Sequence, residues 1–249
     1  HKIMAITIKS EREIELMAEA GKILERVHNE LEKALRPGMS TKDIDTLGEE
    51  IIRSYGCIPS FLNYNGYPAS ICVSVNQEVV HGIPDKHRII QAGVIYKGYH
   101  SDAARTHAVG EVSEEAKKLI QVTKESFFEG IKFAKAGNHL FDISGAIGRY
   151  AEERGYGVVR DLCGHGIGTA LHEAPEIPNY EVGRKGVRLR PGMTLAIEPM
   201  INIGTHEVDW LDDDWTVVTR DGSLSAHYEN TILITEGEPR ILSLTCENE

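Results

Sequence analysis

The sequence predicts an α+β fold made of two related halves, with helices packed on one face of a mostly antiparallel sheet. Helical periodicity dominates the first half of each proposed unit, and short apolar runs typical of strands dominate the chain from Val187 onward. An internal similarity supports the two halves, because residues 37–44 resemble residues 136–143. Chance recurrence of common helix signals is the alternative explanation.

Helix signals mark four segments in chain order. Ser10 and Glu13 form a capping-box motif ahead of a long amphipathic pattern. Thr41 is expected to cap a second helix, and Ser113 is expected to start a third. Residues 142–154 form the fourth predicted helix.

Two stretches between these helices have other signatures. Residues 61–67 are rich in aromatic side chains and turn formers, which indicates an aromatic loop. Residues 70–80 alternate well enough to predict a strand pair that turns near Asn76.

Length and composition indicate one globular unit. A hydrophobic fraction of 41% over 249 residues can supply a sizeable core. We therefore expect a single domain over residues 1–249, with internal halves at approximately 10–110 and 111–245.

Charge, hydropathy and cysteine usage disfavour several classes of partner and location. A net charge of −11 disfavours nucleic-acid specificity and binding to an anionic membrane. No run is long and apolar enough to span a bilayer, and no signal peptide is visible. The four cysteines lack paired spacing, which favours free thiols and a cytoplasmic location.

One histidine and three acids suggest a metal site. His165 lies between two glycines in the segment 162–168, where little bulk shields the imidazole. Glu198 ends an apolar run, Glu229 lies inside a strand-like segment, and Asp102 lies upstream. Acids at strand ends beside a histidine suit a carboxylate-rich metal site. A glycine-rich turn with an incidental histidine, and ordinary strand-end charges, are the alternatives.

Seven short motifs occur in a fixed order along nearly the whole chain. They are Tyr-Asn-Gly-Tyr-Pro at 64–68, His-Gly-Ile-Pro at 81–84, His-Ser-Asp at 100–102, Cys-Gly-His-Gly-Ile-Gly at 163–168, Leu-His-Glu at 171–173, Ile-Glu-Pro-Met at 197–200 and Tyr-Glu-Asn-Thr at 228–231. This set resembles the type I methionine aminopeptidases in their short bacterial form. The resemblance implies the pita-bread fold of two pseudo-symmetric halves, with a metal site on the inner sheet surface.

The resemblance implies roles for the residues of the metal site. Asp102 and Glu229 would bridge two divalent ions, while His165 and Glu198 would bind one of them. One imidazole among carboxylates suits Co²⁺, Mn²⁺, Fe²⁺ or Zn²⁺. The ions would activate a water molecule and polarise the scissile carbonyl group.

Three residues are implied as catalytic. Glu198 would be the general base as well as a ligand. His172 would hydrogen-bond the peptide carbonyl or its oxyanion, and His81 would assist near the new amine. Taken alone, each of these histidines would more often be structural.

The same resemblance implies a pocket for the methionine side chain. An unbranched, polarisable thioether suits aromatic walls, although core packing would explain the same residues. The implied wall residues are Tyr64, Tyr67, Cys72, Trp215, Phe61 and Leu171. Phe61 stands where the family can have a cysteine, Leu171 where it can have an aromatic residue, and Asn230 replaces a common histidine.

One departure from the family affects the metal site. A strand of the form Asp-Ile-Val-x-Ile-Asp, carrying a further metal-binding aspartate, should follow Gly93, yet Gly93 runs directly into Val94. About eight residues are absent, which is about 26 Å of extended chain. Either the sequence omits residues of the natural chain, which we prefer, or the deletion is genuine. A genuine deletion would remove one central strand and leave one ion in place of two.

The implied function is removal of the initiator methionine from nascent polypeptides, with a preference for a small second residue. Nascent peptide N-termini are the expected partners, with the ribosome a further candidate, and a monomer is expected. Two alternatives remain: an Xaa-Pro aminopeptidase or prolidase-like enzyme, and a non-catalytic binding protein on the same fold if the deletion is genuine.

Overall fold

The computed structural model describes residues 5–76, 78–80 and 87–245, and these form a mixed structure of helices and antiparallel strands. The helices are α1 (Glu11–Ala34), α2 (Thr41–Ser54), α3 (Glu114–Ile131) and α4 (Leu140–Glu152). The strands of the first half are β1 (Ile58–Pro59), β2 (Cys72–Val75), β3 (Glu78–Val80), β4 (His87–Tyr96) and β5 (Tyr99–Ala108). Those of the second half are β6 (Gly157–Val158), β7 (Gly164–Gly166), β8 (Glu173–Ile177), β9 (Thr194–Ile197), β10 (Met200–Asn202), β11 (Val208–Trp210), β12 (Val217–Thr219), β13 (Ser225–His227), β14 (Asn230–Leu233) and β15 (Arg240–Ile241).

The helix starts follow the capping signals closely. Ser10 caps α1 and exchanges hydrogen bonds with Glu13, as predicted. The cap of α2 is Ser40 and not Thr41, because the Ser40 hydroxyl accepts from the backbone N–H of Asp43 at 3.0 Å. Thr41 already lies inside the helix, so the prediction was wrong by one residue. Ser113 caps α3 as expected.

The two similar segments, residues 37–44 and 136–143, have the same structural role in their respective halves. Gly38 and Gly137 precede α2 and α4 with φ of 90° and 92°. Asp43 and Asp142 occupy the third position of these helices, where each carboxylate accepts from the backbone N–H of the cap residue. The fourth helix therefore begins at Leu140, two residues before the predicted start.

Four antiparallel sheets make up the described strands. In the first half, β4 pairs with β1, β2 and β5. In the second half, a five-stranded sheet has the order β15-β14-β9-β7-β8. Two smaller sheets have the orders β13-β10-β6 and β11-β12-β3. A bridge between Ala104 and Glu229, with N–H···O distances of 3.1 Å in both directions, joins the sheets of the two halves.

The predicted strand pair on either side of Asn76 is present as two strands, but they enter different sheets. Asn76 has a positive φ of 54° and turns the chain as expected. β2 then pairs with β4, whereas β3 pairs with β12 from the second half. The local pattern therefore located the strands, but long-range pairing chose their partners.

Strand β4 crosses the junction of Gly93 and Val94 without interruption. Gly93 pairs with Asp102 and Val94 pairs with Ser101, inside a register that runs from His87 to Tyr96. The expectation that a genuine deletion would remove a central strand is wrong for this chain. The turn at Tyr96–Tyr99 fixes the register between β4 and β5. The residues just before the junction therefore occupy the strand positions opposite β5.

Each half has a hydrophobic core of its own. The first core lies between α1, α2 and the β4 sheet and includes Leu24, Ile44 and Ile90. The second lies between α3, α4 and the five-stranded sheet and includes Phe127 and Leu195. No helix within the described residues is long and apolar enough to cross a membrane.

We expect Gly21→Ala to destabilise the protein, because α1 touches the chain after β15 at this glycine. A Cβ atom there would lie 1.9 Å from the backbone oxygen of Leu242. Overpacking of this kind lowers the free energy of unfolding by about 1–3 kcal/mol, measurable by urea denaturation. Gly237→Ala is the matched control, since no atom lies within 4 Å of its Cβ position. An equal loss in both variants would contradict the close contact.

Candidate active site

Four residues from distant parts of the chain converge on one point between the halves. Asp102, His165, Glu198 and Glu229 each offer a ligand atom within 4.8 Å of the others. All four residues are buried, Asp102 and Glu229 with no exposed surface. The structure therefore brings together the whole set of metal ligands that the sequence predicted.

His165 is placed by the tight packing of β7 between β8 and β9. A Cβ atom at Gly164 would lie 2.3 Å from the oxygen of Ala196, and one at Gly166 would lie 2.1 Å from the oxygen of Ala174. The glycines on both sides of His165 are thus required by neighbouring backbone. The Nδ1 atom of His165 lies 2.8 Å from the oxygen of Gly166, which directs Nε2 toward the carboxylates.

Asp102 and Glu229 are held together across the two halves. The Thr231 hydroxyl accepts from the backbone N–H of Asp102 at 3.0 Å and donates to its carbonyl at 2.8 Å. The bridge between Ala104 and Glu229 fixes the backbone on the other side. Nε2 of His165 then lies 3.6 Å from Asp102 Oδ2 and 4.0 Å from Glu229 Oε2.

Glu198 follows β9 directly and has a partner that the sequence analysis did not select. Nε2 of His227, at the end of β13, lies 3.6 Å from Glu198 Oε2. The side-chain amide of Asn179 donates to the Glu198 carbonyl at 3.2 Å. His227 precedes Glu229 by two residues, and this spacing was the one available signal that both could face the site.

The pKa values of Glu198 and Glu229 are shifted in opposite directions. Burial, reinforced by the charges of Asp102 and Glu198, raises the pKa of Glu229 well above its ordinary value. Burial also acts to raise the pKa of Glu198, but hydrogen bonds with His227 and Glu229 and the charge on His165 lower it to about 2. Burial acts to lower the pKa of His165, and the neighbouring carboxylates outweigh it and raise that pKa.

The donor set fits a divalent cation. The Nε2 atom of His165 and the Oε2 atom of Glu229 are buried without a hydrogen-bond partner, and they face each other. A cation between them would be bound by one imidazole and several carboxylate oxygens, which are ligands for first-row divalent metals. Such an ion would also offset the repulsion that raises the pKa of Glu229.

Gln91 borders the same cluster and was not predicted as a site residue. Its Nε2 atom lies 3.1 Å from Glu229 Oε1 and 3.4 and 3.3 Å from the two oxygens of Asp102. Gln91 lies on β4 opposite Ala104, two residues before Gly93. Its position beside the shortened segment was the signal in the sequence that could have identified Gln91 as a site residue.

A cavity of about 230 Å³ opens next to the cluster and shares Glu198 with it. All six predicted pocket residues line this cavity: Phe61, Tyr64, Tyr67, Cys72, Leu171 and Trp215. His172 also lines the cavity, together with five residues that were not predicted: Gln91, Leu162, Cys163, Met200 and His227. The lining is mostly apolar, and its size suits one amino-acid side chain more than a drug-sized ligand of about 300–1,000 Å³.

His172 stands between the cavity and the cluster. Its ring lies edge-to-face against His165, with centroids 4.1 Å apart, and its Nδ1 is 2.7 Å from the Tyr64 hydroxyl. Burial and the neighbouring charge of His165 lower the pKa of His172, so its imidazole is neutral at neutral pH. The other predicted catalytic histidine, His81, lies outside the described residues.

Asn230 anchors a buried arginine beside the cluster. Arg105 Nη2 donates to Asn230 Oδ1 at 2.6 Å, and its Nη1 donates to the Glu229 carbonyl at 2.5 Å. The Ser243 hydroxyl also donates to Asn230 Oδ1, at 2.8 Å. The residue that departs from the family thus fastens the backbone of Glu229 to β5.

Comparison with known proteins assigns the chain to a family. The sequence model of metallopeptidase family M24 matches residues 15–236. The chain belongs to metallopeptidase family M24. Together with the structural neighbours, this membership confirms the predicted pita-bread fold.

Relatives within the M24 family match the chain nearly end to end. A methionine aminopeptidase of Clostridium acetobutylicum is 56% identical over 250 residues, covering 97% of this chain and 100% of the relative. Methionine aminopeptidase 1 of Bacillus subtilis is 50% identical, covering 93% and 96%. Since 97% of a 249-residue chain is fewer than 250 residues, the first alignment includes positions that this chain lacks.

Solved structures of other proteins also match nearly the whole of this chain. Methionine aminopeptidase of Thermotoga maritima has a TM-score of 0.93 at 44% identity, covering 97% of this chain and 100% of the other. A prolidase of Pyrococcus horikoshii has a TM-score of 0.76 at 23% identity, covering 97% of this chain and 64% of its own. The second likeness concerns the fold alone.

We expect Asn230→Ala to lower the free energy of unfolding by about 1.5–3 kcal/mol, because the buried Arg105 Nη2 loses its 2.6 Å acceptor, Asn230 Oδ1. Urea denaturation in the presence of a chelator measures this loss apart from metal binding. Asn138→Ala is the control, since its amide makes one hydrogen bond to Phe133 near the surface. Equal stability of the two variants would contradict the anchoring role of Asn230.

Proposed function

We propose that the protein is a metal-dependent methionyl aminopeptidase that hydrolyses the initiator methionine from nascent polypeptides. The observation that carries the proposal is the convergence of Asp102, His165, Glu198 and Glu229 within 4.8 Å beside an apolar cavity. Membership of a metallopeptidase family and the names of relatives up to 56% identical support the same activity.

The proposed chemistry divides the work among residues already in place. A bound divalent ion supplies a Lewis acid that activates water and polarises a carbonyl group. Glu198, which faces both the cluster and the cavity, takes the proton from the attacking water as general base. His172 offers a neutral imidazole held by Tyr64, and its free ring nitrogen hydrogen-bonds the oxyanion.

The cavity is proposed to receive the methionine side chain. Tyr67 and Trp215 meet edge-to-face with ring centroids 5.1 Å apart, and Phe61 and Leu171 form further apolar wall. The sulfur of a methionine side chain makes favourable contacts with the edges and faces of such aromatic rings. A small second residue is preferred because the following peptide unit must pass the ligand cluster.

The cofactor is proposed to be Co²⁺, Mn²⁺, Fe²⁺ or Zn²⁺, since one imidazole among carboxylates suits these ions. The complete ligand set of the family would hold two ions, and the four ligands of this chain are sufficient for one. We further propose catalysis by one domain with halves at about 10–110 and 111–245. The first half supplies Asp102, the second supplies the other three ligands, and the bridge at Ala104 joins them.

The setting proposed for this activity is the cytoplasm, where new chains emerge from the ribosome. A monomer is sufficient, because every residue assigned to the cluster and the cavity comes from this chain. Cys57, Cys72 and Cys163 are free thiols, as a reducing compartment favours. Contact with the ribosome is the remaining part of this proposal, and a pull-down with purified ribosomes tests it.

Removal of metal is expected to abolish hydrolysis of Met-Ala-Ser, and Mn²⁺ or Co²⁺ is expected to restore it. His165→Ala should lower kcat/KM by more than the about 10–100-fold typical of losing a residue that only orients a ligand. His206→Ala, in the loop before β11, is the control and should retain full activity. Undiminished turnover by His165→Ala, or preferential cleavage of Xaa-Pro peptides, would contradict the proposal.

Trp215→Ala should raise KM for methionyl peptides about tenfold, because about 1.5 kcal/mol of side-chain burial is lost from the pocket. Steady-state kinetics on Met-Ala-Ser measure this effect. The other tryptophan supplies the control, since Trp210 is 48% exposed at the end of β11. Equal KM values for both variants would remove Trp215 from the substrate pocket.

A further inference from the structure

Gln91 occupies the position at which the family carries its further metal-binding aspartate. That aspartate would be the sixth residue of the absent segment of about eight, which leaves two residues before Val94. In this chain the third residue before Val94 is Gln91. The register of β4 with β5 places it opposite Ala104, on the strand that the absent segment would otherwise form.

The amide of Gln91 contacts both Asp102 and Glu229, and at Glu229 it faces the oxygen that lies away from His165. On one side, Nε2 of His165 is 4.0 Å from Glu229 Oε2. On the other side, Gln91 Nε2 is 3.1 Å from Glu229 Oε1, the opposite oxygen of that carboxylate. The same nitrogen lies 3.4 Å from Asp102 Oδ1 and 3.3 Å from Asp102 Oδ2, the oxygen that is 3.6 Å from His165 Nε2. Glu229 therefore has one oxygen toward an imidazole and the other toward an amide nitrogen, while Asp102 Oδ2 lies near both groups.

These two faces differ in what they can bind. The face toward His165 has unpartnered buried atoms, His165 Nε2 and Glu229 Oε2, which suits a cation. The face toward Gln91 already has an NH₂ group, which carries two N–H donors and no lone pair for a metal. An amide donor can satisfy two carboxylate oxygens, and it occupies the space that a second ion would need.

We propose that Gln91 replaces the second metal ion, so that this chain binds a single divalent ion on the side of His165. The inference rests on the proposed function only in taking this cluster to be the metal site. Gln91 is a positioning residue, since it holds Asp102 and Glu229 through hydrogen bonds and takes no part in the reaction. The ligand set of a two-ion centre is thus incomplete in this chain, and the neutral side-chain amide of Gln91 occupies the place of the missing ligand.

Metal stoichiometry tests the inference without reference to activity. Wild-type protein stripped with a chelator is titrated with Mn²⁺, and bound metal is counted by isothermal calorimetry and elemental analysis. We expect about one ion per chain and the electron paramagnetic resonance signal of an isolated Mn²⁺. Two ions per chain with a spin-coupled signal would overturn the inference.

Gln91→Glu is expected to create the second site. A carboxylate of the same length would face Asp102 and Glu229, and a second cation would relieve the repulsion between them. Stoichiometry should rise from one ion to two, with a spin-coupled signal. Gln121→Glu, the same substitution at an exposed position of α3, is the matched control and should remain at one ion. A folded Gln91→Glu variant that still binds one ion would show that Gln91 does not exclude the second.

A measurement on the wild-type protein keeps the inference testable if Gln91→Glu does not fold. Anomalous diffraction from crystals soaked in Mn²⁺ should give one peak within bonding distance of His165 Nε2 and none beside Gln91. A peak between Gln91 and the outer carboxylate oxygens would refute the inference. If the wild-type protein holds one ion and shows no peptidase activity, the proposed function is refuted and the inference stands.

Discussion

The structure depends on the burial of Asp102, Glu198 and Glu229 at one point between two hydrophobic cores. Carboxylates removed from water repel each other strongly, and each must be protonated, paired or bound to a cation. The raised pKa of Glu229 and the lowered pKa of Glu198 are the direct expression of this constraint. A cation bound among the three carboxylates would offset this cost in stability.

The same interactions build the site and join the halves. Ala104 bridges to Glu229, and Thr231 bonds the backbone of Asp102. Arg105 reaches from β5 to Asn230 and to the carbonyl of Glu229. A change at the junction of the halves therefore moves ligand oxygens, and a change in ligand charge alters the stability of the junction. Catalysis and folding are coupled here through short-range contacts.

The segment before Val94 is shorter than in the family it resembles, and the sheet is continuous across it. The turn at Tyr96–Tyr99 sets the hairpin register, so residues before the junction move up into the strand. Side chains of a strand alternate between two faces, and loss of an even number, here about eight, preserves the direction of every side chain. Gln91 thereby takes the inward position of an acid and contacts Glu229. Its side-chain length and its N–H donors match the space left beside two carboxylates.

Local signals in the sequence determined the helices and located the ligands. Ser10 with Glu13 predicted the start of α1, and Ser113 predicted the start of α3. Both features depend on residues a few positions apart, so sequence periodicity and capping chemistry are enough to predict them. The ordered motifs named Asp102, Glu198 and Glu229, because the residue types of a metal site are legible in the chain.

Only the tertiary structure decided the partners of these residues. β2 and β3 enter different sheets, His227 meets Glu198, and Asn230 holds Arg105. Gln91 is an ordinary polar residue in the sequence, and its role appears only when β4 and β14 are brought together. Such contacts join positions far apart in the chain, where pairing depends on packing and loop closure between whole elements. No local pattern encodes that information, which is why the four residues of the cluster could be predicted and their neighbours could not.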